Sequence, residues 1–144
     1  MTNVFVALFE RDIDRLIEEL QNTPEDVLWL TQGGIRNPIG SLGLHLAGNL
    51  QFYIGAKIGN TGYQRDREVE FASRSLPVKY VVDEVQKAKT VVIRVLSDLK
   101  EEELEELYPF EPFGYPMTIG YFLTHLYGHL NYHLGQMNYL RRSL

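Results

Sequence analysis

Residues 118–141 read TIGYFLTHLYGHLNYHLGQMNYLR, and they place His125, His129 and His133 at intervals of four. Side chains four residues apart share one face of an α-helix. Thr118 stands where a capping residue belongs, and Arg141 and Arg142 suit the negative end of a helix dipole. The stretch predicts a long helix from 118 to about 141. It lies in a run from Pro112 to Leu140 with no Asp, Glu, Lys or Arg, and a second such run extends from Asn37 to Ala56. Either run is long enough for a membrane span, but both carry His, Asn, Gln and several glycines, and such polar groups are expensive in hydrocarbon. Two helices buried on most sides, in a core or at an oligomer interface, are expected instead. All four histidines of the chain, His45 included, lie in these two runs.

The remaining segments supply the partners for those helices. Phe9, Ile13, Leu16, Ile17 and Leu20 recur at helical spacing between charged residues and predict an amphipathic helix from Asn3 to Gln21. Thr23, Pro24 and the acids after them predict a short helix over TPEDVLWL. Asn37 and Pro38 repeat that signal and open a second long helix reaching Lys57 or Ile58. GNTGYQRDREVEFASRS then reads as a surface loop. Pro77 opens a third long helix, in which Val81, Val82, Val85, Ala88, Val92, Val95, Leu96 and Leu99 keep a helical period. KEEELEEL extends it as a solvated acidic tail, and YPFEPFGYP, with three prolines and a glycine, ends it. Four long helices with no strand signal predict an all-α four-helix bundle, formed as a single domain over 1–144.

Composition excludes several classes of function. The chain has 144 residues, 44% of them hydrophobic, enough for a core that needs no metal merely to fold. It has no cysteine, so any transition metal must be held by histidine or oxygen. A net charge of −5 with scattered Lys and Arg argues against nucleic acid as a partner. The N-terminal MTNVFVALFERDID lacks a basic leader region, which predicts no signal peptide and a cytoplasmic protein.

The histidines carry the chemistry. A single buried histidine is usually a hydrogen-bonded core residue. Several imidazoles on a mostly apolar helix are different, because each unpaired polar nitrogen costs ~1 to 3 kcal/mol when buried. A metal ion would satisfy several together. All three on the last helix cannot share one ion: His125 and His133 stand ~12 Å apart along the axis, against metal–nitrogen bonds of ~2.0 to 2.1 Å. One outer histidine must drop out, and His45 is the only histidine left to complete a set from another helix.

The segments LHLAGNLQFYI and HLYGHLNYHLGQMNYLRR resemble the second and fourth helices of the DinB-like superfamily. The resemblance covers both uncharged runs strongly and the other helices only in type. It implies a DinB-like bundle in which His45, His129 and His133 hold a divalent metal ion, nickel or zinc, with His125 one turn away and outside the ligand set. It further implies a homodimer and, in some members, thiol S-transferase or isomerase activity on low-molecular-weight thiols.

The residues agree with a thiol as the small-molecule substrate. Hydrolysis by a metal-bound water needs a general base beside the metal, as the Glu of H-E-x-x-H provides. Between His129 and His133 the sequence offers Leu130, Asn131 and Tyr132, and neither uncharged run contains a carboxylate. A thiol ionises more easily and is itself the nucleophile. The expected activity is therefore metal-dependent thiol transfer. A bundle that binds metal or a small ligand without turnover, as a sensor or assembly module, and a metal-dependent hydrolase are the alternatives. Asn49, Tyr53, His125, Tyr132 and Gln136 are positioned to orient a ligand nitrogen or touch substrate. The aromatics Phe52, Tyr121, Phe122, Tyr127 and Tyr139 are expected to serve packing, and the helix glycines to allow close approach of helices.

Overall fold

A computed structural model describes residues 1–144. The amphipathic N-terminal segment forms α1 (Thr2–Gln21), which buries Phe5, Phe9, Ile13, Leu16, Ile17 and Leu20 along one face. α2 (Ile39–Leu50) is buried at every residue, as an uncharged helix must be when neighbours surround it. It runs without a break into a π-helical turn, Gln51–Ala56. Then follow α3 (Arg67–Ala72), α4 (Val78–Asp98), a 3₁₀ turn at Glu101–Glu105, and α5 (Ile119–Ser143).

The four long helices form the bundle. α1 packs on α4 and α5, while α2 meets α4, α5 and the short α3. Val81, Val85, Ala88, Val92, Val95 and Leu96 give α4 its buried stripe, so length and period outweigh the β-branched composition. Thr118 caps α5 by accepting from the Tyr121 amide at 3.1 Å. No helix is long and apolar enough to cross a membrane.

Four local expectations are corrected. TPEDVLWL makes only turns, in which the Val27 and Leu28 amides donate to the Pro24 carbonyl. Thr23 does not cap; its hydroxyl donates back to Glu19 O at 2.8 Å. Tertiary anchoring outweighs propensity here: Trp29 Nε1 donates to Leu76 O at 2.8 Å, and its ring rests on Gly40, where a Cβ would come within 2.5 Å of it. Asn37 gives way to Pro38 as the residue before α2, with no side-chain cap.

The third correction concerns the charged loop after α2, which contains α3. Asp66 caps that helix through the Val69 amide at 3.2 Å, and Glu70 is buried. Fourth, the acidic tail is not a continuation of α4. The chain is extended at Leu99 before the separate 3₁₀ turn, and Leu104 within that turn is buried. Glu101 accepts from the Thr2 amide at 3.0 Å, tying this turn to the start of α1.

Candidate metal centre

α2 and α5 cross so that His45 meets the H-x-x-x-H pair of α5. Nε2 of His129 lies 3.1 Å from Nε2 of His45 and 3.1 Å from Nε2 of His133. The three donor atoms all lie within 4.8 Å of one another. Metal–nitrogen bonds of ~2.0 to 2.1 Å at tetrahedral angles would set such nitrogens ~3.3 Å apart. His125, one turn earlier, is not in the cluster. It lies parallel to Phe122 at 5.8 Å and edge-on to Phe113 at 4.8 Å.

The groups behind the rings bear on which nitrogens carry protons. Glu70 Oε1 is 3.2 Å from Nδ1 of His45. Arg65 Nη2 lies 3.1 Å from the same nitrogen; the carboxylate can only accept and the guanidinium only donate, so the two compete for Nδ1, and the tautomer that pairs with Glu70 is the one that leaves a lone pair on Nε2. Gln136 Oε1 accepts from Nδ1 of His133 at 2.7 Å, with the same consequence. With the proton of each outer ring on Nδ1, two lone pairs face His129 Nε2, whose single proton, if it were there, could satisfy only one of them. Nδ1 of His129 is buried with no partner. A donor set of this kind fits a cation better than it fits the histidines alone.

Protonation points the same way. Burial, followed by His133 and His45 as neighbours, drives the pKa of His129 down to about 3. Burial also lowers that of His133, against the opposing hydrogen bond to Gln136. Both imidazoles are thus neutral at pH 7, the state in which they can ligate.

Sequence patterning missed the two residues behind His45. Burial disfavours the Glu70 carboxylate, yet hydrogen bonds from His45 and Arg65 hold its pKa below the usual range. Arg65 grips that carboxylate through Nε at 2.9 Å and Nη2 at 3.0 Å, and both side chains are over nine-tenths buried. Their approach requires Gly48: a Cβ there would stand 2.0 Å from Glu70 Oε2. The signal that the loop reading passed over is Asp66 as a cap with Glu68 and Glu70 in the first turn of α3. The two uncharged runs hold no carboxylate, but one from α3 reaches the site: Glu70 lies behind His45, on the Nδ1 side. It is placed to orient the ring rather than to activate a water.

The other expected neighbours separate. Asn49 is buried, with Oδ1 lacking any partner. It lines a cavity of about 380 Å³ together with Tyr53, His125 and the three clustered histidines. Tyr132 is 65% exposed, with its ring 5.2 Å from that of His133. Among the aromatics expected to pack, Phe122 both packs and lines the cavity. Tyr121 and Tyr139 are exposed instead.

A bundle whose central helices converge three imidazoles on a cavity defines the class, and comparison with known proteins gives the family. The DinB superfamily profile matches residues 8–137, and the chain belongs to that superfamily. A DinB-like protein from Bacillus cereus superposes with a TM-score of 0.79 at 20% identity, covering 96% of this chain and 89% of its own. A conserved protein from Enterococcus faecalis superposes at 0.78 with 18% identity, covering 99% of this chain and 95% of its own. At these identities the likeness shows the shared fold. No curated protein matches the chain.

Proposed function

We propose that the protein is a metal-dependent enzyme in which His45, His129 and His133 hold a divalent ion, zinc or nickel, and that it transfers low-molecular-weight thiols. The observation that carries this reading is the convergence of three imidazoles, Nε2 inward, on one side of a cavity. Three protein ligands leave at least one coordination position open, the arrangement of a catalytic rather than a structural site. When bound there, the ion would lower the pKa of a thiol and so raise its thiolate fraction at neutral pH.

The chain's own residues account for the rest. Glu70 and Gln136 fix two of the rings by their hydrogen bonds at Nδ1. Phe122 and Phe113 wall the cavity and limit water around the nucleophile. In the reaction, the thiol proton passes to solvent and sulfur bonds to an electrophilic carbon. The leaving group departs with the bonding electron pair. Hydrolysis is disfavoured because the nearest carboxylate is turned to the rear of His45. A homodimer formed through the exposed face of α5 completes the proposal.

Elemental analysis of protein purified without a metal-affinity tag tests the site. Near-stoichiometric metal is expected in the wild type and in His125→Ala, and its loss in His45→Ala, His129→Ala and His133→Ala. The loaded wild type should then conjugate a small thiol to an electrophile faster than metal-free protein. No metal after reloading would remove the centre. Full loading with no rate for any thiol would leave a binding bundle without turnover.

A further inference from the structure

The cavity beside the histidines has a polarity that the chain as a whole lacks. The protein carries a net charge of −5, yet Arg65 and Arg67 both line this cavity. Arg65 directs Nε and Nη2 to Glu70, while its Nη1 makes no hydrogen bond. Its guanidinium lies over Tyr53, 5.9 Å from the ring centre. Arg67 is in no ion pair, and its guanidinium is held over Phe71 at 5.7 Å. An unpaired guanidinium, pre-positioned on an aromatic face at the edge of a concave site, is suited to an anionic group.

A second observation inside the cavity is independent of the first. Asn49 is only 6% exposed, and its carboxamide makes no hydrogen bond within the protein; Oδ1 is wholly buried. A buried carboxamide oxygen without a partner costs free energy that a ligand could recover. A ligand amide would suit it whichever way the carboxamide is turned, since an amide both donates and accepts. The cavity walls also include Phe113 and Phe122, which favour an apolar or planar body.

We infer that this cavity binds a small organic carboxylate that also carries an amide, with the carboxylate on Arg67 and the free edge of Arg65, and the amide on Asn49. The inference rests on the proposed function only for placing the ligand's reactive end at the histidines. Recognition of the anion would stand even if the reactive group were not a thiol. A size near 380 Å³ is at the small end of ligand cavities, ~300 to 1,000 Å³, and suits an acylated amino acid better than a nucleotide.

Calorimetric binding to metal-loaded protein tests this with three probes: N-acetylcysteine, N-acetylcysteamine, which lacks the carboxylate, and N-acetylalanine, which lacks the thiol. N-acetylcysteine should bind about tenfold more tightly than N-acetylcysteamine, as one charge-assisted contact at a partly exposed site implies. Arg67→Gln, a change at an exposed residue, should remove most of that difference with metal content retained. Asn49→Leu should weaken all three probes. Inorganic phosphate competing as well as N-acetylalanine would replace the carboxylate by a phosphate and overturn the stated class. Equal affinity for the first two probes, an Arg67→Gln variant that keeps the difference, or no binding of any probe would overturn the inference. N-acetylalanine binding as tightly as N-acetylcysteine, with dependence on Arg67, would remove the thiol reading and leave the carboxylate site standing.

Discussion

Glu70 reaches His45 because Gly48 has no side chain: a Cβ at Gly48 would lie 2.0 Å from Glu70 Oε2. Gly48 is three residues after His45, on an adjoining part of α2, so bare backbone provides the shelf for the carboxylate. Gly48→Ala would favour the helix by ~1 kcal/mol on propensity alone. It should nevertheless displace Glu70 and free the His45 ring. The expected result is metal affinity reduced about 10- to 100-fold, the usual effect of losing a partner behind a ligand, with helical content unchanged. Competition against a chromophoric chelator measures the first and circular dichroism the second. Unaltered affinity would show that His45 needs no support from Glu70.

Glu70 also neutralises Arg65, and the two roles can be separated. Glu70→Gln retains an oxygen able to accept from His45 Nδ1 but leaves the buried guanidinium without an anion. Breaking a buried pair in this way costs ~3 to 5 kcal/mol. Arg65→Met in the same chain should recover most of that stability, because the unpaired charge is then gone. The double variant should still bind metal more weakly than wild type, since no carboxylate polarises His45. Denaturant unfolding and chelator competition on the three proteins test this. Full recovery of metal affinity in the double variant would assign Glu70 a purely structural role.

The two kinds of residue at this site differ in how legible they are in sequence. The four-residue interval of α5 and the isolation of His45 point to His45 with two of the three α5 histidines, and the DinB-like resemblance picks His129 and His133, the pair that the fold brings to His45. α1, α4 and α5 follow their apolar period closely, and Thr118 caps as its position suggests. Glu70 and Arg65 escaped because charged residues in a glycine-bordered segment read as solvated, and a helix as short as α3 has no period to detect. Their burial depends on a pairing between α3 and α2 that no local window contains. TPEDVLWL failed for a related reason: the anchoring of Trp29 on Gly40 and Leu76 is long-range and overrides a local helix signal.

Asp12 clamps α1 to α5 and should govern acid stability. Its fully buried carboxylate accepts from Arg11 at 2.8 Å, Arg15 at 3.1 Å and Asn131 at 3.1 Å, and also from the Tyr127 hydroxyl. Burial opposes ionisation, but the hydrogen bonds from Arg11, Tyr127 and Asn131 prevail and lower the pKa from 3.8 to about 2. A depressed carboxylate stabilises the fold above its unfolded pKa and loses that contribution as pH falls toward the folded value. About 2 kcal/mol should therefore disappear between pH 4 and pH 2. Urea unfolding across this range should show a steeper loss for wild type than for Asp12→Asn. Parallel curves would mean that other carboxylates control acid unfolding.

The outward face of α5 leads to the last prediction. Tyr121, Tyr132 and Tyr139 are 57%, 65% and 75% exposed. Gly128 and Gly135 fall in the same stripe, and a Cβ on either would meet nothing within 4 Å. Each glycine costs ~1 kcal/mol relative to alanine inside a helix, and nothing within the chain requires that loss. Gly43 and Gly48 differ, since side chains of this chain crowd both positions. A second copy packed on α5 would explain why the open glycines are tolerated and why large tyrosines flank them. Light scattering should accordingly give twice the mass of the chain at micromolar concentration. Gly128→Leu, a change at an exposed position where a Cβ meets nothing of this chain, should shift the protein to monomers while retaining helical content and bound metal. A wild-type monomer at every concentration would remove the dimer. A Gly128→Leu variant that remains dimeric would move the interface away from this face of α5.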